Sequence, residues 1–389
     1  MKNLPQSLSP SVSAPSSIAA ALQPFVDCVA GKPPSFQHAR KLMHEHGMVQ
    51  FAQGDRIHLE HGYCLDDNAR AFLAAVLSLH LNARLEDARV IGDASLDFVE
   101  RCRRPDGQFH NLMAEDGSFT DEVGSPESFG RTVWAVGVAS RCAPIDEWRK
   151  RSVRLLREAL EHVGDLTDLR PKAYVVLGLA AAIAPEAASL VPPQGDLPES
   201  LARDAEVVLK LLCNSLRGEF ESNAQPGWDW WEPLLTWGNA RLPEATLRGA
   251  AALSDPKLEK IGMRGLAFLA GLTQAQDTFL PIGNAGWYER EKERATHDQQ
   301  PIEACAMVDL WLAASKLTGR VEYQSRALET FGWFFGLNSE RLVMVDARGG
   351  CKDGLSRNDF NINMGAESTL SYLHAHAALA QALNVEDHG

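Results

Sequence analysis

Residues 69–103 read ARAFLAAVLSLHLNARLEDARVIGDASLDFVERCR. The first part, 69–81, is apolar or small nearly all round, which predicts a helix buried on most sides. The second, 86–103, carries a charged stripe opposite an apolar one and predicts a helix with one wet face. Only a few residues separate them, so the two helices pack as antiparallel neighbours.

The same pairing recurs along the chain. Buried-type segments follow at TVWAVGVASRC (132–142), AYVVLGLAAAIA (173–184), ATLRGAAAL (245–253), ACAMVDLWLAAS (304–315) and TLSYLHAHAALAQAL (369–383). Striped segments follow at 146–162, 201–216, 255–272 and 321–337, and the N-terminal SIAAALQPFVDCVAG supplies a sixth that closes against the last buried helix. Buried helices start near 66, 127, 171, 239, 299 and 366, a period of roughly 60 residues that marks a repeat of helical hairpins. The expected fold is all-α, an (α/α)6 toroid with six inner and six outer helices, and an open solenoid is the alternative. Residues 1–16, rich in Ser and Pro, are expected to be a disordered tail, and 17–389 a single domain.

Composition narrows the partners. With 389 residues, 45% hydrophobic and 23% charged, the chain can bury a large core. A net charge of −13 disfavours nucleic acid and anionic membranes, which demand a basic face. No apolar run reaches the length of about 18 residues that a membrane span requires. Seven scattered cysteines without a C-x-x-C pair suit reduced thiols, so the expected location is cytoplasmic.

Loop length separates the two ends of the toroid. Four connections from outer to inner helices are long, at 105–128, 218–239, 277–301 and 340–368, and all arrive at the starts of inner helices. Long loops in a compact domain are usually functional. The helix openings there are polar: YCLDDNAR, SPESFGR, LRPKAY, TWGNARLPEA, HDQQPIEA and NMGAEST. Singly, such residues read as helix caps. Together they supply Asp66, Asp67, Asn68, Glu127, Arg131, Asn239, Arg241, Asp298, Gln299, Gln300, Glu303 and Glu367 to one funnel, more than capping needs. At the first opening Arg70 stands three residues from Asp67 and four from Asp66, so it can hold one carboxylate and leave the other for a ligand; Glu127 and Arg131 repeat that spacing.

Tryptophan supplies a second signal. PGWDWWEPLLTWGN (226–239) holds Trp228, Trp230, Trp231 and Trp237, with Glu232 among them, and GNAGWYER adds Trp287. Aromatic faces beside carboxylates and amides suit a sugar ring, with core packing as the alternative for each ring. Glycosidic cleavage needs one protonated acid and a second carboxylate as base or nucleophile, and Asp67, Glu122, Asp298 and Glu303 are the leading candidates. The substrate-binding set is Asp66, Asn68, Arg70, Glu127, Arg131, Trp228, Trp231, Glu232, Asn239, Arg241, Trp287, Gln299, Gln300, Asp353 and Glu367.

The motifs HGYCLDDNARA, EVGSPESFGR, TWGNARLPEA, HDQQPIEA, GGCKDGL and NMGAEST, spanning His61 to Leu383, resemble a bacterial family similar in fold to the six-hairpin glycosidases. The resemblance implies members that stand alone or are joined to glycosyltransferase modules, often beside mannoside phosphorylases. It implies a polar set from Asp66, Asp67, Asn68 and Arg70 through Glu122, Arg131, Glu232, Asn239 and Arg241 to Asp298, Gln299, Gln300, Glu303, Asp353 and Glu367. The chain departs from it at Glu127 and Pro233, where Asp is usual.

The reading is a hydrolase of a short manno- or gluco-configured oligosaccharide. A non-catalytic sugar-binding protein, or an epimerase or isomerase using a histidine pair, are the alternatives, and His297 is the only local hint of the latter. No cofactor is expected. His44, His46, His58 and His61 lie close together, but without H-E-x-x-H or a Cys/His quartet no metal is expected either.

Overall fold

The computed structural model describes residues 16–275 and 278–384, with side chains from residue 22 onward. Residues 1–15, nearly all of the expected tail, lie outside the described residues. The helices among those described are α1 (Ser16–Val29), α2 (Gln37–Leu42), α3 (Leu65–Leu81), α4 (Glu86–Cys102), α5 (Pro126–Cys142), α6 (Asp146–Ala159) and α7 (Leu169–Ile183). They continue with α8 (Pro185–Ala188), α9 (Glu199–Asn223), α10 (Arg241–Leu253), α11 (Pro256–Thr273), α12 (Pro301–Thr318), α13 (Glu322–Phe331) and α14 (Ala366–Asn384).

Six of these form a closed inner ring, in which α3, α5, α7, α10, α12 and α14 each pack on the next and α14 returns to α3. Closure decides between the toroid and an open solenoid, and the toroid is what forms. Outside the ring, α4, α6, α9, α11 and α13 each pack on the inner helix that precedes them, and α1 packs against α14 and α13. The all-round apolar character of α12 and α14 is the consequence: both are buried along nearly their whole length.

Local chemistry sets the helix ends. Ser125 caps α5 by accepting from the Ser128 amide at 3.1 Å with Pro126 in the first position, and Asp255 followed by Pro256 does the same for α11. Gly319 ends α12 in the left-handed conformation, φ 70°. The tightest inner contact, between α5 and α7, depends on Gly137 and Gly178, where an added Cβ would strike the backbone of the facing helix.

Short antiparallel strand pairs pin the long loops over one end. β1 (Tyr63–Cys64) pairs with β2 (Leu112–Met113), which holds the 103–125 loop against the start of α3. β3 (Leu234–Leu235) pairs with β4 (Tyr288–Glu289), joining two other long loops. One connection at the opposite end is also long: residues 184–198 carry α8 between α7 and α9. No described helix is long and apolar enough to cross a membrane.

Candidate active site

At the N-terminal ends of the inner helices lies an open pocket of about 530 Å³. Asp66, Asp67 and Arg70 reach it from α3, Glu127 and Arg131 from α5, Ile302 from α12, and Glu367 and Ser368 from α14; Trp237, Asn284, Gln300 and Asp353 reach it from the loops. Four inner helices therefore place their first turns on one cavity. The start of α7 takes part indirectly: Arg170 donates to the Trp237 carbonyl at 2.5 Å, with its guanidinium 5.1 Å from the Trp237 ring.

The paired carboxylates of α3 are both engaged. Arg70 donates to Asp67 at 2.8 Å and to Glu367 of α14 at 2.6 Å, so one guanidinium ties two inner helices across the pocket floor. Neither carboxylate is left free for a ligand, although the spacing to Arg70 suggests that one would be; Asp66 has a cation of its own. It pairs at 3.1 Å with Arg131 of α5, while Glu127, the expected partner of Arg131, accepts from the Trp237 indole at 2.9 Å. The reason is geometric: across a closed ring the neighbouring helix stands as near as the next turn of the same helix.

Electrostatics separates these groups. Burial pushes the Asp67 carboxyl up to about 6, against the pull of Arg70; Glu367 and Asp66 push it further, and the Cys64 thiol, donating at 3.1 Å, eases it down. Burial also raises Asp353, which accepts from the Gly365 amide at 2.8 Å and the Ser368 hydroxyl at 2.5 Å. Burial opposes the charge on Arg70, but Glu367 and Asp67 outweigh it and hold the guanidinium above its usual value.

Other expected residues frame the pocket instead of lining it. Glu303 is buried and accepts from the Gly238 amide and from Asn239 Nδ2 at 3.2 Å; burial raises its carboxyl. It anchors the turn that presents Trp237. Asn239 also closes that turn on Thr236, Asn68 accepts from the Met48 amide at 3.0 Å, and Gln299 joins Trp333 to Ser339. Arg241 lies below the floor, where it pairs with Glu244 and Asp309, both at 2.6 Å.

The remaining expectations need correcting. Glu122 is exposed outside the pocket lining, and its backbone carbonyl, not its carboxylate, accepts from Arg104. Asp298 is exposed at φ 54° and accepts from Ser356 at 2.9 Å. Glu232 is spent on an ion pair with Arg170 at 2.7 Å. Trp228 and Trp231 are interior rings, packed edge-on against Phe268 and Phe220 with centroids 5.2 and 4.9 Å apart, so neither offers a face to a ligand. Trp287 stands beside Trp237, centroids 5.8 Å apart, and donates to Asn284 at 2.9 Å, but it is not among the residues that line the pocket. Sequence reasoning passed over Trp237 in favour of its neighbours and missed Gln50, Phe51, Asn284 and Asn361, which line the pocket from segments without periodicity.

Beneath the floor the pocket narrows to a gap of about 30 Å³ lined by Arg70, Arg131, Trp134, Arg241, Cys305 and His374, among others. Cys305, Asp309 and His374 bring metal-ligating atoms within 4.8 Å of one another. Their cation is already in place: Arg241 donates to Asp309 and lies 3.6 Å from the Cys305 sulfur, while burial holds that thiol far above its usual range. The donor set fits a guanidinium better than a metal ion.

No family model matches the chain, and no curated protein matches it in sequence. Solved structures match it along nearly its full length. A cellobiose 2-epimerase from Spirochaeta thermophila is similar with TM-score 0.66 at 11% identity, covering 97% of this chain and 99% of its own. A sugar epimerase from a ruminal bacterium gives 0.63 at 9%, covering 94% and 96%. A GH76 α-mannanase from Bacteroides thetaiotaomicron gives 0.58 at 10%, covering 95% and 96%. At such identities the likeness establishes the fold alone: the chain is an (α/α)6 toroid.

Proposed function

We propose that the protein is a sugar-processing enzyme that hydrolyses the glycosidic bond of a short oligosaccharide. The pocket lining carries this reading: five carboxylates, Asp66, Asp67, Glu127, Asp353 and Glu367, with the Trp237 indole, around a volume suited to a small ligand. In this reading Asp67, raised to about 6, is the acid. Its proton passes to the glycosidic oxygen as the bond from that oxygen to the anomeric carbon breaks. A water oxygen bonds to the anomeric carbon, and its proton goes to a carboxylate base.

Glu127 suits the base best. Asp66 and Glu367 are neutralised by Arg131 and Arg70, and Asp353 is raised by burial, whereas Glu127 meets only the Trp237 N–H among the described residues. Trp237 would stack on the sugar face and so set the ring beside that base. Incubation with α- and β-linked gluco- and manno-oligosaccharides tests the proposal: cleavage by the parent and its loss in Asp67→Asn support it, and binding without turnover by either would support a non-catalytic role.

A second reading, sugar epimerisation or isomerisation, draws on the names of the structural neighbours and on His374. This imidazole lies 2.8 Å from Asp309 and lines the narrow gap beneath the pocket. Against it, no histidine lines the open pocket itself among the described residues.

A further inference from the structure

The toroid has a second cavity at its other end. It measures about 380 Å³ and is lined at the C-terminal ends of α12 and α14 by Leu312, Ser315, Lys316, Ala378, Gln381 and Ala382, with Ser189, Leu190 and Arg248 below. The candidate active site gathers the opposite, N-terminal ends of the same helices, so the two cavities are separate mouths.

Two cations face this second mouth. Arg248 is buried, donates from Nε to Glu244 at 2.8 Å and from Nη1 to the Ala188 carbonyl at 2.7 Å, and its Nη2 has no protein partner among the described residues. Lys316 Nζ donates to the Ser189 carbonyl at 2.7 Å. The buried carboxylates nearby are already shared: Glu244 serves Arg241 and Arg248, and Asp309 serves Arg241 and His374. Neither is left over for Lys316, an exposed residue on which the Glu186 carboxylate also acts. Burial and the neighbouring Arg248 push the Lys316 ammonium down to about 8, with Glu186 acting the other way.

We propose that this rear cavity binds a small phosphate-bearing molecule, its phosphoryl oxygens taking the free Arg248 and Lys316 donors and its organic body lying on Leu190, Leu312, Ala378 and Ala382. A phosphoryl group has enough acceptor oxygens for both cations, and a guanidinium with an ammonium is a donor set suited to it. The volume exceeds what inorganic phosphate alone would fill, and the walls are mainly apolar, so the phosphate is expected to sit on a monosaccharide-sized body.

Titration calorimetry of the full chain with inorganic phosphate, a hexose 6-phosphate and glucuronate tests this. The parent should bind the hexose phosphate, with inorganic phosphate the stronger ligand only if free phosphate is the natural source; either supports the site. Lys316→Met, which removes the charge, should weaken binding by at least about tenfold, the size of one lost charge-assisted hydrogen bond, and Ala382→Phe should weaken it as much by filling the cavity. Asp67→Asn, at the other mouth, should bind phosphate as the parent does, so this result stands apart from any failure of glycoside cleavage. No binding of either phosphate, glucuronate binding as tight as the hexose phosphate, or binding that both rear-mouth variants retain would overturn the proposal.

Discussion

Asp67→Asn isolates what the buried acid does to the fold as well as to turnover. The substitution keeps the shape of the side chain and removes its titration. Burial lifts the carboxyl from 3.8 to about 6, and with 5% of the residue exposed this corresponds to about 3 kcal/mol lost from the native state once the group ionises. The native chain holds this proton more tightly than the unfolded chain does. Stability is therefore least affected below about pH 4, falls as pH rises through the interval to about 6, and stays lowered above it. Urea unfolding of parent and variant across that range measures the effect, because most other titrating groups cancel in the difference. Parent stability minus variant stability should fall by about 3 kcal/mol between about pH 4 and pH 7. A difference that stays flat, or rises, refutes the claim that burial dominates over Arg70 at this carboxyl.

Arg70→Met removes the bridge between α3 and α14 and leaves Asp67 buried without its cation; thermal unfolding at neutral pH should show a loss of about 3–5 kcal/mol, and the alkaline limb of the activity profile should move to higher pH. Trp237→Ala should weaken oligosaccharide binding by about tenfold with little change in stability, whereas Trp231→Ala should cost about 3–5 kcal/mol in denaturant unfolding and leave binding nearly intact. Gly178→Ala forces a Cβ into the Val133 carbonyl of α5, and a fall in stability of about 1–3 kcal/mol in the same assay is expected.

The toroid was legible because its physics is periodic. Segments such as 304–315 have no polar stripe, and only a helix surrounded by others tolerates that; α12 lies inside the ring accordingly. The common face was legible too, since long loops and polar openings coincide in sequence. Individual roles were less so. Trp228, Trp231 and Trp237 share one short stretch, yet two pack inward and one lines the pocket, a choice made by Phe220 and Phe268 on other helices. Spacing likewise offered Glu127 to Arg131, but Asp66 on the adjacent helix takes it. Asp298 and Gln300 stand two residues apart, and the left-handed backbone at Asp298 turns it onto Ser356 while Gln300 lines the cavity.

Proton and carbon magnetic resonance of a manno- or gluco-disaccharide incubated with the protein in deuterated water addresses the chemistry of the carboxylate-lined mouth directly. Hydrolysis by Asp67 and its partner base predicts cleavage to monosaccharides with every carbon-bound hydrogen retained. Deuterium appearing on a sugar carbon while the glycosidic linkage stays whole would contradict it.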